Sequence, residues 1–235
     1  MSSQVKTLME VIGLPADKLL TQRKSLPEPL QLLHRRTLLT VGRSGKPPTG
    51  DQLQTWATEL HIDLVASLRQ LAEAELVFLD PAGREITGGV PFAAGPTAHQ
   101  VRIFDGPTVF ANCAVDALGI AAMLARDVDV QSLDALTGEQ VTASSRAGHW
   151  TWQPTDAVVF VGSSGQGRLT ETCCPVINFF TASDHARAYQ GAHALDGVVL
   201  ALSDAVQAGA LVFGDLCTSS RNDRRMTART AGCLP

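Results

Sequence analysis

The chain has 235 residues, enough for one large or two small domains with cores of their own. Its apolar fraction of 45% and charged fraction of 18% are those of an ordinary globular protein. A net charge of -4 argues against a general nucleic-acid binder, and no apolar run is long enough to span a bilayer. The opening residues, Met1-Ser2-Ser3-Gln4-Val5-Lys6, lack the basic-then-apolar layout of a secretory signal, so a cytoplasmic protein with reduced thiols is expected.

In chain order, residues 1 to about 24 read as a short helical arm that Pro27 and Pro29 end. From Glu28 to Phe92 the apolar spacing predicts three helices and a hairpin. Leu30, Leu33, Leu38 and Val41 mark the first helix. Thr49 or Asp51 caps a second, which runs to about Leu60, and Ile62 to Glu75 form a third. Leu76–Leu79 and Glu85–Thr87 then flank an Asp80-Pro81-Ala82-Gly83 turn. That order is winged-helix-like, but Asp63, Glu73 and Glu75 on the third helix are ill suited to phosphate contact.

Gly88 to Pro96 reads as a linker into a second domain. Asp105-Gly106 joins two β-rich runs, Val101–Phe104 and Thr108–Ala111, as a hairpin. An apolar helical pattern from Ala114 to Ala125 follows at once. Short strands are expected at Val128–Leu133, Gln140–Ala143, Ala157–Val161, Val176–Phe180 and Gly197–Leu202. Ser163 to Gly167 is a turn with no Lys-Ser/Thr behind it, so it is not a phosphate loop. Ser183 or Asp184 caps a helix to about His193, and Asp204 starts a last one to about Phe213. The expected layout is α+β: 1–92 a helical arm plus winged-helix-like unit, 93–217 a mixed domain with antiparallel strands, 218–235 a polar and basic tail.

The chemistry-bearing residues are Cys113 and Asp116, three apart in what should be a first helical turn and so on one face. A thiol at a helix N-terminus feels the positive end of the dipole, which favours the thiolate. Sixty residues on stand Cys173-Cys174, where adjacent side chains on an extended chain would point to opposite sides. Two soft thiolates and one carboxylic acid suit capture of a soft metal and delivery of a proton. The five cysteines (Cys217 and Cys233 complete the set) have no zinc-finger spacing, and none of the six histidines has metal-ligand spacing.

From Phe110 to Leu211 the ordered set of motifs resembles the organomercurial (alkylmercury) lyases of bacterial mercury resistance. It comprises Cys113-Ala114-Val115-Asp116, Leu136-Thr137-Gly138, Cys173-Cys174 running on to Phe179-Phe180, and Tyr189-Gln190-Gly191 to Leu195-Asp196-Gly197. The resemblance implies that Cys113 and Cys173 bind mercury as thiolates, that Asp116 transfers the proton, and that Cys174 is a neighbour not required for the chemistry. It implies organomercurials as substrates, no cofactor beyond the mercury that is substrate and product, and release of Hg(II) to external thiols or to an acceptor such as mercuric reductase. Nucleic-acid and membrane partners are not expected. Asp134 stands where many members carry a structural cysteine, and Asn112 stands where an aromatic residue is frequent. Without the acid, the same thiols would make a heavy-metal (mercury or copper) binding protein that cleaves nothing; Asp116 favours the enzyme.

Overall fold

A computed structural model describes residues 16–217 of the chain, with side chains from residue 21. The start of the helical arm (1–15) and the whole tail (218–235), with Cys233, lie outside the described residues. The architecture is α+β: a helical N-terminal region, then antiparallel sheets with helices packed on them.

The helical region comprises α1 (Ala16–Ser25), α2 (Glu28–Ser44), α3 (Gly50–Leu60) and α4 (Leu64–Glu73), followed by the antiparallel pair β1 (Phe78–Leu79) and β2 (Ile86–Gly88). Thr49, not Asp51, caps α3: its hydroxyl accepts from Gln52 N–H while the Gln52 side chain accepts from Thr49 N–H, a reciprocal capping box. The third helix is shorter than its periodicity predicts, because the Asp63 carboxylate caps it through Ala66 N–H and the chain leaves it at Ala74. Leu76 and Val77 are buried in the core ahead of β1 rather than paired in it.

The second region holds two sheets. The larger orders β4 (Thr108–Phe110), β3 (Gln100–Ile103), β5 (Val128–Leu133), β6 (Gln140–Arg146) and β7 (His149–Gln153) side by side. The smaller places β8 (Val158–Ser163) between β10 (Asp196–Ala201) and β9 (Asn178–Phe180). Every pairing among these strands is antiparallel. The two faces of β8 serve different cores: Val159 and Val161 join the main core, while Val158 and Phe160 pack with Val176, Phe180, Ala186 and Leu195. Two apolar faces are why this strand reads as an unbroken hydrophobic run.

Four helices complete the region: α5 (Ala114–Leu124), the single turn α6 (Leu169–Thr172), α7 (Ser183–Ala192) and α8 (Leu202–Phe213). No side chain caps α7, whose N-cap is Ala182. Helix α5 is buried from Ala114 to Ala121, and it approaches α8 at Gly119 and Gly209. A Cβ on Gly119 would lie 2.3 Å from the Phe213 ring and 2.9 Å from Gly209 O. Only glycine permits that approach, which fixes the helix carrying Cys113 and Asp116 against its support.

Gly88 to Pro96 is docked rather than free. Phe92 is 2% exposed and bridges Ala111, and Ala93 N–H donates to Phe110 O. One continuous apolar core runs from Leu30 to Leu216 across both regions. Among the described residues, no helix is long and apolar enough to cross a membrane.

Candidate active site

Three backbone bonds set the turn that presents Cys113. Ala111 N–H donates to His99 O, Asn112 N–H to Pro91 O, and Ala114 N–H to Ile177 O. The last ties the start of α5 to the segment following Cys173-Cys174. Cys113 is the N-cap of α5, in extended conformation, and its sulfur accepts from Asp116 N–H at 3.4 Å. A thiol thus fills the place that Ser or Asp usually takes at a helix start.

The second sulfur comes from Cys174. The Sγ atoms of Cys113 and Cys174 and a carboxylate oxygen of Asp116 all lie within 4.8 Å of one another. Cys173, expected to supply that sulfur, stands outside this group. The reason is local: the pair lies not on an extended strand but in the turn that ends α6. Both Cys173 and Cys174 donate their N–H to Leu169 O, and Val176 and Ile177 donate back to Cys173 O. Strand β9 therefore begins at Asn178, two residues later than its composition predicts. The turn buries the Cys173 sulfur beside Thr172 Oγ1, 3.6 Å away, and leaves Cys174 half-buried and facing Cys113. Nothing in the sequence marked residues 169–172 as helical, and with that turn in place it is Cys174, not Cys173, whose sulfur lies beside Cys113.

Electrostatically the site is poor in compensation. Asp116 is 4% exposed, and its Oδ2 is buried without a hydrogen bond. Burial pushes its carboxyl up to about 7, although Cys113 and Asn112 both act to lower it. Burial also raises the Cys113 thiol well above its ordinary value, helped by the hydrogen bond with Cys174 and the nearby Asp116 charge; Asp116 N–H opposes the shift without reversing it. Desolvation thus outweighs the helix terminus and acts against the dipole-favoured thiolate that the sequence led one to expect.

Phe179 is fully buried, and its ring lies 5.7 Å from that of His99. His99 is held neutral by burial, its value lowered to about 4, and its Nδ1 is 2.9 Å from Ser132 Oγ. Asn112 Nδ2 is also buried and makes no hydrogen bond of good geometry, though it is near enough to the Asp116 carboxyl to act on it. Asn112 and Thr170 also line a groove of about 330 Å³ with Phe78 and the stretch from Ala93 to Thr97. The groove therefore meets both cysteine-bearing segments. Cys217, half-buried, belongs to another part of the molecule, close to Arg35, Arg23 and Arg43.

Asp134, in the position noted for its missing cysteine, is 2% exposed and saturated with donors. Its Oδ1 accepts from Leu136 N–H (2.8 Å) and Thr137 N–H (3.0 Å). Its Oδ2 accepts from Thr181 N–H, Thr181 Oγ1 and His185 Nδ1 at 2.8–2.9 Å. His185, which the sequence left without a task, is the partner that closes this clasp between the β5–β6 turn and α7.

Comparison with known proteins points to one family. The alkylmercury lyase family model matches residues 92–214, more than half of the chain, with Cys113, Asp116 and Cys174 inside the match. The alkylmercury lyase of Streptomyces lividans is 30% identical over 187 residues, covering 77% of this chain and 84% of that protein. The alkylmercury lyase of Bacillus cereus is 27% identical over 179 residues, covering 75% and 79% respectively. The crystal structure of the mercury-bound form of MerB2 superposes with a TM-score of 0.72 at 21% identity, covering 86% of this chain and 98% of that one, a likeness of fold. With the family model, the sequence relatives and the shared fold in agreement, this chain belongs to the alkylmercury lyase family.

Proposed function

We propose that the protein cleaves the carbon–mercury bond of organomercury compounds by protonolysis, with Cys113 and Cys174 as the mercury ligands and Asp116 as the proton carrier. The observation that supports this most is the meeting of two sulfurs and one carboxylate within 4.8 Å, with that carboxylate held near neutrality.

The proton balance is simple. R–Hg⁺ and two thiols give R–H, Hg(II) held by two thiolates, and one proton. On capture, one thiol loses its proton and a linear R–Hg–S species forms, since mercury as a soft metal prefers thiolate. The proton of the second thiol passes to Asp116 as that sulfur joins the metal. The second thiolate raises electron density on the carbon. Asp116 then delivers its proton, and the electron pair of the C–Hg bond becomes the C–H bond with no change of oxidation state. A carboxyl poised at about 7 takes a proton and returns it with little cost in either direction. The groove bordered by Asn112 and Thr170 gives the organic group its approach. Hg(II) held by two thiolates leaves by exchange onto external thiols.

Incubation with phenylmercury and excess thiol, followed by measurement of benzene, tests the assignment. Cys113→Ala, Cys174→Ala and Asp116→Ala should each lower release by about a hundredfold or more, as loss of an essential ligand or proton carrier does. Cys173→Ala should retain release. Loss with Cys173→Ala and retention with Cys174→Ala would reverse the assignment. Stoichiometric Hg(II) binding by the unaltered protein with no benzene would leave a thiol trap in place of an enzyme.

A further inference from the structure

The turn that presents Cys174 does not stand on its own residues. Helix α6 is one turn long and has no side-chain cap from within its own segment: its N-cap is Arg168. The donor that most needs an acceptor, Leu169 N–H, is buried, and it finds Glu75 Oε2 at 2.5 Å, a residue 94 positions earlier in the chain. Glu75 is 5% exposed and has a positive φ of 58°, at the exit of α4. A non-glycine residue in that conformation is held there by its surroundings. Arg168 makes a second strut, Nη2 to Ala72 O at 3.1 Å. From Leu169 the dependence is direct, because its carbonyl accepts both Cys173 N–H and Cys174 N–H.

We infer that Glu75 is a positioning residue for the reaction: its buried carboxylate caps α6 from the helical region and so sets the place of the Cys174 sulfur opposite Cys113. A carboxylate at a helix N-terminus satisfies an orphan donor and complements its partial positive charge. Here the capping group is borrowed from the other region, which makes the helical unit part of the site rather than an appendage. The inference rests on Cys174 being the second sulfur.

The test uses the full chain, with Glu75→Gln, which keeps an acceptor at the same reach, and Glu75→Asp, which keeps the charge but falls one methylene short. The first readout is the rate at which diamide joins Cys113 to Cys174 as a disulfide, mapped by peptide mass spectrometry; the second is benzene release; melting temperature is the control. Glu75→Asp should slow crosslinking and release by about tenfold or more, since a misplacement on the order of 1 Å costs that much. Glu75→Gln should stay within about twofold of the unaltered protein on the same scale. Should Glu75→Asp lower the melting temperature into the assay range, Arg168→Ala, which spares the buried carboxylate, should show the same direction with a smaller effect. Unchanged crosslinking in Glu75→Asp and Arg168→Ala overturns the inference, as does a fall in Glu75→Gln equal to that in Glu75→Asp. If the unaltered protein crosslinks as expected but releases no benzene, the lyase proposal fails while the positioning role is still decided by the crosslinking rates.

Discussion

Two aspartates of this molecule are almost equally hidden from solvent and behave in opposite ways. Asp116 and Asp134 are 4% and 2% exposed. Burial raises the carboxyl of Asp116 to about 7, and one of its oxygens has no partner. Burial also acts to raise Asp134, but the bonds from Thr181, His185, Leu136 and Thr137 outweigh it and bring that carboxyl down to about 2. Low exposure alone therefore does not assign a role; the depth of burial and the supply of donors do so together. A starved carboxylate is poised to move a proton, and a saturated one is a fixed joint. Each aspartate shares its neighbourhood with other metal-ligating side chains, Asp116 with two cysteines and Asp134 with Glu139 and His185. Only at Asp116 is a carboxylate oxygen left over for a reaction.

The largest effect that would break this contrast is catalytic. Asp116→Asn should abolish benzene release, by about a hundredfold or more, while Hg(II) binding measured by equilibrium dialysis persists. Asp134→Asn should leave release within about threefold, because a structural joint acts on stability before chemistry. Equal losses at both positions would erase the distinction.

Next in size is stability. Asp134→Ala removes the acceptor of five hydrogen bonds and should cost about 2–4 kcal/mol in urea unfolding. Asp116→Asn should cost much less. The pH dependence should run in opposite directions. Asp134 has a lowered value in the fold, so its contribution is present above the ordinary carboxylate range near 4 and is lost as pH falls through about 2. Asp116 has a raised value, so its contribution is full below about 4 and is lost as pH rises to about 7. The decline between those pH values should vanish in Asp116→Asn when urea midpoints are compared across pH.

The smallest effect concerns His185, whose value is raised chiefly by its hydrogen bond to Asp134. Its contribution to the clasp is complete below the ordinary imidazole range and fades as pH rises through the raised value. In an NMR titration the His185 ring should titrate above an ordinary histidine and return to that range in Asp134→Asn. A ring indifferent to that substitution would show that the clasp does not hold in solution.

The comparison also marks where sequence reasoning stopped. Helix α5 was legible to within one residue, because an apolar run after a strand admits few alternatives and Ala125 closes it with φ of 50°. The β3–β4 hairpin followed from Asp105-Gly106, with Asp105 at φ of 51°. Strand β7 was not legible: its residues alternate between exposed and half-buried, and without a buried face there is no apolar period to read. Helix α6 was missed because four residues carry no helical period, and its cap lies 94 positions away. The same distance hid Glu75, which in sequence is one more acidic residue at the end of a helix.

From the order of residues alone came the α+β layout, the pairing of Cys113 with Asp116 on one helical turn, and the chemical suitability of two thiols and an acid. These depend on neighbours three or four positions apart, where backbone geometry leaves little freedom. Which sulfur of Cys173-Cys174 meets Cys113 was settled only in three dimensions. Adjacent side chains diverge according to the local φ and ψ, and α6 is hydrogen-bonded to Glu75 and Ala72, partners that no local pattern encodes. The proton affinity of Asp116 is likewise tertiary, since it follows first from the burial that folding imposes, with no donor placed at its second oxygen.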